Sequence, residues 1–211
     1  MNKGNGYYDF DLDIETLFAD GNLDAYFWYQ DIKQRKFMLN DNVEQYSVWN
    51  ICRHILQINK EDAGIPKEDR KPILVYIATN GGEVDSGFEL IDCIRQSITP
   101  VYTVVLCNAY SMGSLIAVAG QKRYAMPNST YLIHDGSNFV YGTSSKVRDQ
   151  VEFQCRVDDK VKNYIIEQTK ITPEEYDSKL RQEWYMFADE AKEKGCVDYI
   201  IGVDVAMDAI V

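Results

Sequence analysis

The chain has 211 residues, with 33 acidic against 22 basic side chains and a formal net charge of −11. That length makes one domain of ordinary size, able to bury roughly 70% of its unfolded surface without a disulfide or metal staple. The negative charge repels phosphate backbones and anionic bilayers, so neither nucleic acid nor membrane is the expected partner.

The first residues, MNKGNGYYDFDLDIETLF, carry acids where a secretory signal needs an apolar run. Residues 1–34 read as an acidic, aromatic-rich arm: Asp9, Asp11, Asp13, Glu15, Asp20 and Asp24 interleave with Tyr7, Tyr8, Phe10, Phe18, Phe27 and Trp28. Such aromatics either pack on the body or a neighbouring subunit, or form a partner surface. A short strand follows at Lys36–Leu39. Asp41 or Asn42 can then cap a helix running to about Asn59, with Val43, Tyr46, Trp49, Cys52, Ile55 and Leu56 on one face. After a polar loop, ILVYIAT (73–79) has the continuous apolar character of a strand covered on both faces. Asn80-Gly81-Gly82 breaks it. The next helix points Val84, Phe88, Ile91, Ile94 and Ile98 inward, and Thr99-Pro100 stops it.

The unit recurs as strand VYTVVL (101–106), a turn at 107–110 and a small-residue helix at 111–120. Strands near 123–126 and 131–134 precede a long amphipathic helix over about 144–169, with Val147, Val151, Cys155, Val161 and Ile165 on one stripe. Thr172 caps a shorter helix that has Pro173 in its first turn. Residues 188–195 form a helix closed by Gly195, and VDYIIGVDV ends the pattern as strand. No linker or sequence repeat divides the chain, so residues 1–211 read as a single domain. Successive strand–helix–strand units predict an α/β fold with a mainly parallel sheet. The five cysteines, Cys52, Cys93, Cys107, Cys155 and Cys196, form no CxxC pair, and two histidines offer no zinc spacing. The expectation is a cytoplasmic protein with reduced, mostly buried thiols and no metal or cofactor.

Ligands in such folds sit at the carboxyl ends of strands. Gly81-Gly82 follows one strand end; paired glycines let the backbone approach a substrate and turn its N–H groups outward. Ser111 follows another, at the start of a small-residue helix. There it is either a helix cap or a nucleophile whose oxyanion the helix terminus favours. Ala109 stands where the G-x-S-x-G elbow has its first glycine, so the segment is not that motif. A nucleophilic serine needs a base. His54 lies beside Arg53 off the core stripe and reads as a surface histidine, whereas His134 ends an apolar strand. Asp135 is its neighbour and points to the opposite face, so local sequence does not choose the third group.

The order of a Gly-Gly turn, then A-x-S-M-G-S with a helix ending in Ala-Gly, then MPNST-x-x-IH, resembles the ClpP family of self-compartmentalised serine proteases. The tail WYMFADEAKEKGCVDYI is similar to that family's closing segment, and the resemblance covers roughly residues 35–202. It implies a ClpP/crotonase-like fold of repeated strand–strand–helix units with a long interlocking helix. Carried over, it makes Ser111 the nucleophile and His134 the base, with Gly82 and Met112 the oxyanion-hole donors. Glu183 stands where the family has its triad aspartate, with Asp189 and Asp177 as fallback acids. The resemblance further implies protein or peptide substrates, seven-membered rings stacked as a tetradecamer, and an AAA+ unfoldase partner. Departures include Glu183 itself, Thr79-Asn80 before the glycines, Asp-Gly after His134, and a Ser111–His134 segment about two residues short. Residues 1–30 also do not match the family's axial loop. These motivate two alternatives: a weakly active or inactive structural or regulatory ring subunit, and a crotonase-like acyl-CoA enzyme.

Overall fold

A computed structural model describes residues 23–179 and 181–210; most of the acidic, aromatic N-terminal arm lies outside the described residues. Helix α1 (Leu23–Lys33) leads into β1 (Lys36–Leu39), α2 (Gln45–Asp62), β2 (Ile73–Thr79), α3 (Val84–Gln96) and β3 (Val101–Tyr110). Then come α4 (Met112–Ala117), β4 (Lys122–Ala125), β5 (Thr130–Ile133), α5 (Ser144–Gln168), α6 (Pro173–Lys179), β6 (Trp184–Phe187), α7 (Ala188–Glu193) and β7 (Tyr199–Ile200). Strands β1-β2-β3-β4-β7 pair in that order, all parallel. The α/β class and the mainly parallel sheet are therefore those the sequence predicts.

The apolar run of β2 explains its central place. Ile73, Leu74, Val75 and Ile77 are all buried, and each such side chain contributes about 1.5–3 kcal/mol relative to exposure. Helices α2, α3 and α4 supply the facing layer through Val48, Ile51, Ile55, Leu90, Ile91, Ile94 and Ile116.

Strand β3 does something the sequence does not announce. Its first half pairs with β4 (Tyr102–Val105), and its second half pairs with β5 (Asn108–Tyr110). Between them the register slips against β2: Ile77 faces Val105, yet Thr79 faces Ala109. The extra length bends the end of β3 out of the main sheet. There β5 adds in parallel and β6 adds antiparallel to β5. Residues 107–110, expected as a turn, are strand for this reason.

Two polar anchors hold the edges. Arg35 forks onto Asp62 at 2.7 and 2.8 Å, and Thr99 donates to the same carboxylate. Burial alone would push Asp62 up, but these hydrogen bonds and the nearby Arg35 and Arg70 charges hold it below the usual carboxylate range. Arg123 pairs with Asp198 and donates to the carbonyls of Gln168 and Gly195, tying β4 to the end of α5 and the approach to β7.

Several readings change. Helix α2 starts at Gln45, because Val43 is drawn into a bridge with Gly82 and Ser47 Oγ accepts the Glu44 N–H. It turns its aliphatic stripe Val48, Ile51, Cys52, Ile55 and Ile58 inward, and leaves Tyr46, Trp49 and Leu56 exposed. Ile98 lies past the end of α3 and is exposed. On α5 only Ile165 is fully buried and Val161 packs partly against the core, while Val151 and Cys155 of the expected stripe are exposed. The thiols are not mostly buried: Cys52 and Cys196 are, Cys93 is intermediate, and Cys107 and Cys155 are exposed. His54 is not a surface residue either. Its ring stacks on Phe37 at 4.8 Å with Trp28 edge-on, because α2 packs that flank against β1 and α1.

Candidate active site

Ser111 occupies the step between β3 and α4 with φ +52° and ψ −123°. A non-glycine residue holds such a conformation only when its surroundings impose it. Here the Ser111 N–H donates to Leu132 O on β5 at 2.9 Å, and the Ser111 carbonyl accepts the Ser114 N–H and hydroxyl. The turn is thus stitched to the bent end of the sheet on one side and to α4 on the other.

His134 follows β5 directly, and its Nε2 lies 2.8 Å from Ser111 Oγ. Its Nδ1 lies 3.1 Å from Glu183 Oε1. Strand register explains the second contact: the last antiparallel pair of β5 and β6 is Ile133 with Trp184, and His134 with Glu183 is the next step. The other acids lie elsewhere. Asp177 pairs with Lys162 at 2.5 Å, Asp189 accepts the Glu190 N–H, and the exposed Asp135 makes no hydrogen bond to the imidazole among the described residues.

Gly82 sits opposite Val43, with Val43 N donating to Gly81 O and Glu83 N donating to Val43 O. A Cβ on Gly82 would fall 2.2 Å from Val43 O, and one on Gly81 only 2.6 Å from Tyr110 O and 2.7 Å from Ser111 Cβ. Both have φ between +90° and +160°, so the pair suits only glycine. Met112 opens α4, and first-turn amides have no acceptor within their helix. Gly82, Ser111, Met112 and His134 line one cleft of about 520 Å³.

The structure thus brings together all five residues named from the sequence. A hydroxyl, an imidazole and a carboxylate in hydrogen-bond series, beside a Gly-Gly turn and a helix start, form an arrangement able to run acyl transfer. The cleft also holds residues the sequence did not flag: Asp158 and Lys162 on α5, and Tyr176 on α6. They arrive by tertiary packing, which no local pattern signals. Burial, followed by the charges of Asp158, Asp135 and Asp177, pushes the Tyr176 phenol up to about 12. Among the described residues, no group of three or more His, Cys, Asp or Glu is placed to hold a metal ion. No described helix is long and apolar enough to cross a membrane.

The family model described as Clp protease matches residues 21–204, most of the chain. The chain belongs to the Clp protease family. The Clp protease match runs from the described α1 past β7, so it takes in both halves of the bent sheet and every residue of the cleft. Membership makes this Clp protease chain a ClpP-like peptidase of the serine type.

Proposed function

We propose that the chain is a serine endopeptidase subunit in which Ser111 is the nucleophile, His134 the general base and Glu183 the acid that orients the imidazole. The observation that carries this reading is the 2.8 Å contact of His134 Nε2 with Ser111 Oγ. With Nδ1–H donating a hydrogen bond to Glu183, the Nε2 lone pair accepts the serine proton as Oγ attacks a peptide carbonyl, leaving an imidazolium that the carboxylate stabilises. The Gly82 and Met112 amides stabilise the oxyanion; one such donor is worth on the order of 10²–10³ in rate. His134 then gives its proton to the leaving amine. Water, deprotonated by the same imidazole, attacks the acyl-enzyme and releases the new carboxylate. Every proton in this cycle is accounted for by protein groups and water.

The assembled form in this reading is a double heptameric ring whose long α5 helices interlock, with active sites facing an inner chamber. Supporting it, α5 buries only one of its 25 residues and leaves Val151 and Phe153 exposed. An AAA+ unfoldase would feed substrates to such a chamber, and free thiols fit a cytoplasmic setting. A second reading, a ring subunit of low turnover, draws on the Glu183 side chain being 57% exposed, where water weakens its hold on the imidazole.

Fluorophosphonate labelling of wild type and Ser111→Ala tests the proposal. Labelling that disappears in the variant is expected. An assembled wild type that takes no label overturns the peptidase reading and favours the low-turnover subunit. Light scattering tests the ring, and a stable monomer contradicts it.

A further inference from the structure

One side chain of β3 reaches back across the bend in the sheet. The main chain of Asn108 pairs with Thr130 of β5, the strand that leads to His134. Its side chain turns the other way: Asn108 Nδ2 donates to Thr79 O and to Asn80 Oδ1, both at 2.9 Å. Thr79 ends β2, and Asn80 opens the turn to Gly81-Gly82. Thr79 O is a main-chain carbonyl, so only the NH₂ end of the carboxamide can face it. The bond falls where the ladder slips. Pairing passes from Ile77–Val105 to Thr79–Ala109, so residues 106–108 of β3 stand against residue 78 of β2. There the Asn108 side chain supplies a donor to a carbonyl at the irregular end of the ladder.

The residue held in this way lies between the two segments that carry Gly82 and Met112. Thr79 is buried. Its hydroxyl donates to Asp41 O at 2.6 Å and accepts the Gly81 N–H at 3.1 Å. Its methyl group lies against α4, where a Cβ on Gly113 would fall 2.5 Å from Thr79 Cγ2. Gly81 is in turn packed on the serine turn, since a Cβ there would lie 2.7 Å from Ser111 Cβ and 3.0 Å from Met112 N. A shift of Thr79 therefore carries the Gly81-Gly82 turn with it and changes its placement against Ser111 and Met112.

We propose that Asn108 is a positioning residue for acyl transfer, which clamps the end of β2 and so fixes the Gly82 amide against the Ser111-Met112 turn. This rests on the peptidase reading above. An oxyanion hole works only when its donors are held within about 0.5 Å of where the charge develops. Both amide hydrogens of Asn108 are used on the β2 end, so its effect reaches the reacting atoms through the backbone of residues 79–82. The two acceptors are unequal. Asn80 is exposed and water competes for its carbonyl, whereas Thr79 is buried, so the bond to Thr79 O carries the larger share. The pair also gives the Thr79-Asn80 departure a purpose: the Asn80 side chain offers the clamp its second acceptor.

Asn108→Ala in the full chain removes both bonds. Its kcat on a fluorogenic peptide is expected to fall roughly tenfold or more with KM within about twofold, because the loss is confined to the transition state. Active-site titration with a fluorophosphonate separates this from damage to the fold: the labelled fraction stays that of the wild type, while the labelling rate constant falls with kcat. The pH profile of kcat/KM keeps its midpoint, since the imidazole and its partners are untouched. Asn80→Ala removes the exposed acceptor alone and costs roughly twofold to threefold, and the double variant is no slower than Asn108→Ala. Wild-type kcat in Asn108→Ala, or a loss carried wholly by the labelled fraction, overturns the proposal. Failure of the peptidase reading shows itself differently, as a wild type that fluorophosphonate does not label. Deuterium exchange then still decides the clamp. Faster exchange over residues 79–84 in Asn108→Ala, with 73–77 protected as before, supports it, and unchanged exchange overturns it.

Discussion

The chain contains two histidines, and their surroundings differ in kind. His134 stands where β5 runs out, with a hydroxyl on one ring nitrogen and a carboxylate on the other. His54 stands in the middle of α2, stacked on Phe37 between a helix and an edge strand. One ring is held through its nitrogens by hydrogen bonds; the other is held by its face, where burial disfavours the charged form. In the proposed mechanism the same side chain serves as an acid–base group at a strand end, whereas on a helix flank it is a packing element. Position in the fold decides which.

The comparison breaks most sharply in a pair of alanine substitutions. His134→Ala is expected to cut peptide turnover by on the order of 10³ or more, while the urea midpoint barely moves. His54→Ala should do the opposite, lowering stability by about 2 kcal/mol through lost packing and leaving kcat/KM intact. A His54 variant that loses turnover without losing stability would mean that the base is assigned to the wrong histidine. The floor of the cleft supplies the next test. Gly82→Ala puts a Cβ 2.2 Å from Val43 O, at a φ that side chains rarely adopt. A loss of about 3 kcal/mol in denaturation is expected, together with lost activity.

Glu183 sharpens the comparison by a smaller amount. Its carboxylate is largely solvated, so Glu183→Gln is expected to reduce turnover roughly tenfold rather than abolish it. Stability should stay within about 0.5 kcal/mol, the usual range for an exposed site. Asp189→Asn, which touches only the start of α7, serves as the control and leaves turnover unchanged. Equal losses in the two variants would mean that the acid is assigned to the wrong residue.

What local sequence could and could not say follows from the same geometry. ILVYIAT and VYTVVL announce buried parallel strands because both faces are apolar, and Ser111 and His134 stand out because each ends an apolar run. Glu183 is different. Its partnership with His134 comes from the antiparallel register of β5 and β6, across 49 residues of chain, and only the family resemblance pointed to it. On α2 the helical spacing of Tyr46 and Trp49 suggests a core face that the fold does not use. In the fold the β-branched stripe lies against the sheet instead, and Tyr46 and Trp49 are left outside. Tyr176 carried no local sign at all, since α6 reaches the cleft only after α5 has crossed it.

The smallest expected effect concerns pH and belongs to His54. Burial first, and the neighbouring Arg53 charge second, pull its ring down to about 4, from an ordinary value near 6.5. The folded state therefore prefers the neutral ring, and the unfolded chain binds the extra proton first as pH falls. The contribution to stability is fully present above pH about 6.5 and is lost as pH drops through the range down to about 4. Partial solvation reduces it to on the order of 1 kcal/mol. His54→Phe keeps a ring against Phe37 and removes the proton. Between pH 7 and 4.5 the variant should gain about that much on the wild type in urea midpoints converted to free energy. Asp62, held low by Arg35, loses its contribution only below this window. Parallel curves for the two proteins would mean that the His54 ring meets water after all, and the contrast between the histidines would then rest on His134 alone.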